Sequence, residues 1–119
     1  MSEKKLIFAI GVDHRGYKLK EYLKQYKNIG SFSISWLDLG TYDIERIDYP
    51  YFAKVVVKAI KNGNADYGIL SCGSGIGMAI TANRYPHIYA GLVWNSDIAK
   101  SAKEDDNVNI LVLPADYIT

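Results

Sequence analysis

Short segments of strand-like, mainly apolar composition alternate with helix-like segments along the whole chain. Residues 6–12 form an unbroken apolar run, as in a strand covered on both faces of a sheet, and further strand-like segments lie at residues 32–39, 67–71, 88–93 and 109–113. Helical spacing or helix-start residues mark the segments between them, at residues 15–26, 50–60, 79–83 and 96–102. Because a helix that links two parallel strands makes a right-handed crossover, this alternation predicts an α/β fold. We expect a three-layer α/β/α sandwich around a five-stranded parallel Rossmann-like sheet.

The composition agrees with one globular domain over residues 1–119, since no linker, repeat or low-complexity tract interrupts the alternation. Hydrophobic residues make up 49% and charged residues 23% of the chain, which argues against disorder. The net charge of +1 gives no electrostatic reason to expect binding to nucleic acid or to a membrane surface. No apolar run approaches the roughly 20 residues of a membrane span, and no signal peptide is visible. We therefore expect a soluble cytoplasmic protein, and its one cysteine excludes an internal disulfide.

Two unusual loops follow the first and third predicted strands. Ligands of an open parallel sheet bind beyond the carboxyl ends of its strands, near the point where the winding direction reverses. The first strand ends at Asp13 and His14, and the third ends at Cys72. If these two strands are neighbours, as in the common doubly wound orders, an acid, an imidazole and a thiol face one crevice. Structural alternatives stay open, because Asp13 can simply cap the first helix and His14 can be a satisfied structural histidine.

A glycine-rich run follows Cys72, with glycines at positions 73, 75 and 77. It lacks the spacing of the dinucleotide fingerprint, because Met78 stands where the third glycine would be, and it lacks the lysine of a P-loop. The run does place backbone N–H groups, unobstructed by side chains, at the start of a helix, where they favour a phosphate or a developing oxyanion. The alternative is a tight strand-to-helix turn with no ligand.

Cys72 itself admits two interpretations. A lone cysteine at the end of a strand is more often an inert, buried small residue than a reactive one. A thiol beside a helix N-terminus and close to His14, however, has two neighbours that lower its pKa. This location predicts a thiolate that acts as a base or a nucleophile.

Three segments together carry a family resemblance. They are DHRG at residues 13–16, DYP at residues 48–50 and DYGILSCGSGIGMAITAN at residues 66–83. The chain resembles the ribose 5-phosphate isomerase B family and its sugar-phosphate isomerase relatives, the ribose and galactose phosphate isomerases, from about Leu6 to Leu113. The resemblance implies isomerisation of a phosphorylated sugar between aldose and ketose, most commonly ribose 5-phosphate to ribulose 5-phosphate. It implies neither a metal nor an organic cofactor.

The resemblance also implies roles for individual residues. Cys72 matches the family's catalytic base, which moves a proton between the first two sugar carbons through an enediolate. The loop from Gly73 to Gly77 matches its anion hole, and Ser74 stands where the family usually has threonine, so its hydroxyl is a further catalytic candidate. The residues that the resemblance assigns to substrate binding are Asp13, His14, Tyr49, Gly73, Gly75, Ile76, Gly77, Asn83 and Asp106.

The last part of the chain departs from the family pattern. The family usually has a ring-opening histidine, acting across a dimer interface, where this chain has Asp105, and Asp106 replaces the usual asparagine. Asp105 can still transfer a proton, so it is kept as a candidate catalytic residue. Family members also hold phosphate with basic residues of a C-terminal helix, and the sequence stops at Thr119 before that helix would form. Arg15 and Arg84 are candidate replacements.

Several functions therefore stay open. An active isomerase of a phosphorylated pentose is favoured, because Cys72 and its loop are intact. The alternatives are an isomerase of a phosphorylated hexose such as galactose or allose 6-phosphate, a diverged inactive sugar-phosphate-binding homologue, and a subunit that needs a partner chain. The resemblance implies a homodimer or a dimer of dimers with sites shared between subunits. Neither nucleic acid nor a membrane is an expected partner.

Overall fold

The computed structural model of the chain describes residues 4–41 and 49–118. Within these residues, six strands form one sheet: β1 (Lys4–Val12), β2 (Asn28–Ile29), β3 (Phe32–Asp38), β4 (Tyr67–Cys72), β5 (Ala90–Leu92) and β6 (Ile110–Pro114). The strands lie side by side in the order β2-β3-β1-β4-β6-β5. All adjacent pairs are parallel except β2 and β3. This sheet confirms the prediction of a Rossmann-like α/β fold.

The same residues contain four α-helices, each lying between two of the parallel strands: α1 (Tyr17–Leu23), α2 (Tyr49–Lys61), α3 (Ile76–Asn83) and α4 (Ser96–Asp106). One turn of 3-10 helix, His14–Gly16, precedes α1, and a second, Ala115–Tyr117, follows β6. The cap of α4 is Asn95, whose side-chain oxygen accepts a hydrogen bond from the Ile98 N–H at 2.9 Å. No helix in the described part of the chain is long and apolar enough to cross a membrane.

The antiparallel edge strand β2 is the part of the sheet that the apolar pattern does not predict. It pairs with the start of β3, where Ile29 lies opposite Phe32. Gly30, with a φ of 57°, lies in the two-residue turn between them, a position that favours glycine. The sheet therefore has six strands and not the expected five. A strand of two residues is too short to show a hydrophobic period, so the sequence contains little signal for it.

β1 and β4 are neighbours, which confirms the condition for bringing their two loops together. Val12 lies opposite Ser71 in the register of the pair, and the Asp13 N–H donates to the Ser71 carbonyl at 3.0 Å. β3 lies on the far side of β1 and β6 on the far side of β4, so the chain adds strands first on the β1 side of this pair and afterwards on the β4 side. The reversal point, where open α/β sheets bind ligands, falls between β1 and β4.

Two hydrophobic clusters cover the two faces of the sheet. On one face α2 and α3 pack against the strands, and the larger cluster includes Ala9, Phe52 and Met78. On the other face a smaller cluster contains Ile10, with Leu23 of α1 packed against it. Side chains alternate along a strand, which is why the neighbours Ala9 and Ile10 belong to different clusters. Helices on both faces give the expected three layers.

Candidate active site

Asp13 is buried at the carboxyl end of β1, with 7% of its surface exposed. Its carboxylate accepts a hydrogen bond from the Arg15 N–H at 3.0 Å, so it caps the 3-10 turn that begins at His14. Gly16 packs so closely on β4 that a Cβ on it would lie 3.0 Å from the Ser71 Cβ. The turn after β1 is thus fixed against the end of β4. Asp13 has the capping role considered above, and its carboxylate also acts on the thiol at the end of β4.

His14 is half-buried in the same turn. Its Nδ1 atom is buried, and no hydrogen-bond partner for it lies among the described residues. Most buried polar atoms in proteins have such a partner. The imidazole therefore presents a hydrogen-bonding group that residues 4–41 and 49–118 leave unused.

The loop after β4 turns tightly into α3. Gly75 has a φ of 79°, in the left-handed region, and a Cβ on it would lie 2.5 Å from Leu92 Cδ1. Both the conformation and the lack of space therefore require glycine. The Ile76 N–H donates to the Ser74 hydroxyl oxygen at 3.2 Å, and Ser74 is exposed. The glycine run makes the predicted turn and presents its backbone at the start of a helix.

Cys72 ends β4 directly below this loop, and only 6% of the residue is exposed. The Gly75 N–H donates to its Sγ atom at 3.1 Å. Backbone N–H groups of Met78 and Ser74 also favour a negative charge on the same sulfur. The N–H groups at the start of α3 are therefore gathered around the thiol.

Burial nevertheless raises the pKa of the Cys72 thiol above its ordinary value, and the Asp13 carboxylate raises it further. The N–H groups of Met78, Gly75 and Ser74 lower the pKa but do not outweigh the burial. The prediction of a lowered thiol pKa is therefore wrong. The sequence places a thiol beside a helix N-terminus, but it does not show how deeply the sulfur is buried or that a buried carboxylate lies near it.

Asp116 joins this edge of the sheet, although no motif singles it out. It lies in the 3-10 turn after β6, and its N–H donates to the Gly73 carbonyl at 3.0 Å. Its carboxylate binds the Arg15 guanidinium, with Nε to Oδ1 at 3.0 Å and Nη2 to Oδ2 at 2.5 Å. The strand register puts Pro114 opposite Cys72. The adjacency of β4 and β6 is the signal that predicts this position for Asp116, because residues that follow adjacent parallel strands reach the same edge of the sheet.

Three predicted site residues, Asn83, Asp105 and Asp106, lie at the other edge of the sheet. α3 and α4 each begin near the carboxyl ends of the strands and run back, so their last residues reach the amino ends. The Asn83 side chain bonds to the Ala90 backbone, with Nδ2 to the carbonyl at 2.9 Å and the N–H to Oδ1 at 2.8 Å. Asp106 lines an open cavity of about 510 Å³, and Asp105 is exposed. A single chain thus keeps these three residues apart from Cys72.

The remaining predicted residues lie beside the loop or outside the described part of the chain. Ile76, which is 56% exposed, and Gly77 form the first turn of α3. Tyr49 is the first residue of α2, but its side chain is not among the described groups, and Asp48 falls in the segment 42–48 that lies outside the described residues. Within the described ranges, no three His, Cys, Asp or Glu side chains form a group that could hold a metal ion.

The chain matches known proteins both in sequence and in fold. The family model described as Ribose/Galactose Isomerase matches residues 8–119. Ribose-5-P isomerase B of Listeria innocua is 38% identical over 107 residues, which cover 90% of this chain and 71% of that protein. The crystal structure of a ribose 5-phosphate isomerase from Thermotoga maritima matches with a TM-score of 0.86 and 45% identity, covering 96% of this chain and 77% of that one. Ribose-5-phosphate isomerase B from Mycoplasma genitalium with bound ribulose-5-phosphate matches with a TM-score of 0.83 and 35% identity, covering 95% of this chain and 74% of that one. This chain belongs to the ribose/galactose isomerase family.

Proposed function

We propose that this protein interconverts ribose 5-phosphate and ribulose 5-phosphate. Its family is one of aldose–ketose isomerases, and the similar structure from Mycoplasma genitalium is described with ribulose-5-phosphate bound. The observation that carries the proposal is the position of Cys72 Sγ, which lies at the reversal point of the sheet and accepts the Gly75 N–H at 3.1 Å. A sulfur base and a set of backbone donors are the two components that this isomerisation needs.

Cys72 is the proposed base. The hydrogen on C2 of an open-chain aldose is only weakly acidic, so its removal requires a positioned base and donors aimed at the oxygen that becomes negative. The thiolate takes the C2 proton and forms an enediolate, and the resulting thiol returns a proton to C1. A proton also passes from the C2 oxygen to the C1 oxygen, so the product is the ketose with no net gain or loss of atoms.

The raised pKa of Cys72 shapes this chemistry. A thiolate with a higher pKa is a stronger base, but a smaller fraction of it is ionised at neutral pH. The N–H groups of Ser74, Gly75 and Met78 favour the charged sulfur and offset part of the effect of burial. Backbone donors of the loop from Gly73 to Gly77 are proposed to hold the enediolate oxygen, with the exposed Ser74 hydroxyl beside them.

Asp13 and His14 are the proposed contacts to the sugar. The Asp13 carboxylate lies at the end of β1, held there by its bond from the Arg15 N–H. The unused Nδ1 of His14 can bond to a ring oxygen, a hydroxyl or a phosphate oxygen. Ile76 and Tyr49 are proposed to complete the rim of the site from the starts of α3 and α2.

Asp105 and Asp106 reach a site only through a second copy of the chain. Both belong to the last turn of α4, at the edge of the sheet that faces away from Cys72. We propose a homodimer or a dimer of dimers in which these carboxylates approach the partner's Cys72 loop, the segment from Gly73 to Gly77 that follows Cys72. There Asp105 transfers the proton that opens the sugar ring, and Asp106 binds substrate.

Proton exchange tests the role of Cys72. In deuterated water the unaltered protein should exchange the C2 hydrogen of ribose 5-phosphate with solvent, and Cys72→Ala should abolish this exchange. Ser74→Ala is the matched variant in the same loop, and it should slow the exchange without abolishing it. Undiminished exchange in Cys72→Ala would refute the assignment of the base.

A substrate panel tests the choice of sugar. Because the matched family includes galactose isomerases, the panel should contain galactose 6-phosphate and allose 6-phosphate beside ribose 5-phosphate. The proposal requires the largest kcat/KM with ribose 5-phosphate. Calorimetric binding of all three sugars without turnover of any would instead identify a sugar-phosphate-binding homologue.

A further inference from the structure

The Arg15 side chain crosses the first glycine of the Cys72 loop. A Cβ on Gly73 would lie 2.8 Å from Arg15 Nε and 3.0 Å from Arg15 Cδ. Any side chain at position 73 would therefore displace the guanidinium. The absence of a side chain on Gly73 is what allows a cation to lie on the rim of the loop.

Asp116 holds this guanidinium from one side. Its carboxylate accepts from Arg15 Nε at 3.0 Å and pairs with Nη2 at 2.5 Å, while its own N–H donates to the Gly73 carbonyl. Arg15 is also fixed at its backbone, where its N–H bonds to the Asp13 carboxylate. The direction of the side chain is thus set at both ends, by Asp116 at the guanidinium and by Asp13 at the backbone.

The other side of the guanidinium stays available. A guanidinium has five N–H donors, and the bonds to Asp116 use one edge of it, which leaves the fork formed by Nη1 and Nη2. That planar fork matches two oxygens of a phosphate group. The Arg15 side chain is 54% exposed, and Asp116 is its ion-pair partner among the described residues. A phosphate can therefore approach the free fork without displacing the carboxylate.

Other basic side chains near α1 and α3 are placed differently. Lys20 and Lys24 both bind the carboxylate of Asp38. Arg84 follows α3, at the end of that helix opposite the loop. Arg15 is thus a cation that combines contact with the loop and an exposed donor fork.

We infer that Arg15 anchors the phosphate group of the sugar substrate, with Asp116 as the residue that positions it. This inference rests on the proposed function, since it assigns a phosphate to the site that Cys72 and the loop form. In ribose 5-phosphate the phosphate is remote from the reacting carbons, so a fixed cation at the rim orders the substrate without taking part in proton transfer.

Phosphate binding to single and double variants tests the inference. Isothermal titration of the full chain with inorganic phosphate should show that Arg15→Gln weakens binding by roughly 10- to 100-fold, because charge-assisted hydrogen bonds are lost. Lys27→Gln is the control, because it also removes one exposed positive charge but lies next to the edge strand β2, away from the loop, and it should bind as the unaltered chain does. The double variant Arg15→Gln with Asp116→Asn keeps the net charge of the pair, and it should stay as weak as Arg15→Gln.

Three results would overturn the inference. They are no measurable phosphate binding by the unaltered chain, unchanged binding in Arg15→Gln, and full recovery of binding in the double variant, which would show that Arg15 only neutralises Asp116. Steady-state kinetics separates this outcome from a failure of the proposed function. If ribose 5-phosphate is turned over but Arg15→Gln leaves its KM unchanged, the anchor is wrong and the isomerase stands. If phosphate binding depends on Arg15 but no sugar phosphate is turned over, the anchor stands and the isomerase is wrong.

Discussion

Replacing Asn83 by alanine should destabilise the protein while leaving its use of sugar phosphate unchanged. The Asn83 amide bonds to both the N–H and the carbonyl of Ala90, which ties the end of α3 to the start of the edge strand β5. Each such bond contributes about 1 kcal/mol, and both are exposed, so Asn83→Ala should lower the free energy of unfolding by about 1–2 kcal/mol. For a chain of 119 residues this corresponds to a fall in Tm of roughly 4–8 °C.

Thermal unfolding followed by circular dichroism measures that change, and steady-state kinetics with ribose 5-phosphate supplies the second readout. Arg84→Ala is the matched control, because it alters the next residue, which is exposed, without removing the bonds to Ala90. Asn83 then has a structural role in place of the substrate contact that the family resemblance implies. A large rise in KM for Asn83→Ala with an unchanged Tm would refute it.

Three further predictions follow from the geometry. Asp13→Asn keeps a capping side chain but removes a charge that raises the pKa of Cys72. The pH at which the thiolate absorbs in the ultraviolet should therefore fall, and the rise of kcat/KM with pH should move to lower pH with it. An unchanged titration would show that Asp13 does not act on the thiol. Gly68→Ala should destabilise the fold by about 1–3 kcal/mol in chemical denaturation, because the new Cβ would lie 2.6 Å from Val56 Cγ1, and an unchanged midpoint would show that α2 moves aside freely. Asp105→Asn should reduce turnover of ribose 5-phosphate by about 100-fold or more but spare an open-chain aldose phosphate that forms no ring, whereas equal losses on both substrates would argue against ring opening by this carboxylate.

The strands show how much of the fold the sequence contains. An unbroken apolar run identifies β1, because a strand covered on both faces of a sheet is mainly apolar, and strand-like, mainly apolar composition identifies β3, β4 and β6. The edge strand β2 has only two residues and depends on the turn at Gly30, so its pairing is decided by tertiary geometry. The strand orders common in doubly wound sheets predict that β1 and β4 are adjacent. This prediction is correct, and the adjacency brings Asp13 and Cys72 to the same edge of the sheet.

The site was less accessible to prediction than the fold. A family resemblance assigns roles one residue at a time, so it does not show that Asn83 and Asp105 lie at the opposite edge of the sheet from Cys72 within one chain. The direction of the shift in the thiol pKa depends on burial, which a sequence does not display. Asp116 carries no motif at all, and only the adjacency of β4 and β6 reveals it.

The two faces of β1 carry side chains of different size, and this difference helps to fix the position of the candidate active site. Ala9 and Gly11 face α2, where a Cβ on Gly11 would lie 2.9 Å from Val56 Cγ2, while the larger Ile10 and Val12 face the opposite layer. A slip of β1 by one residue would force isoleucine or valine under α2, where there is no room for it. The alignment of the proposed catalytic groups therefore depends on side-chain size beneath α2, at a distance from the loops that carry those groups.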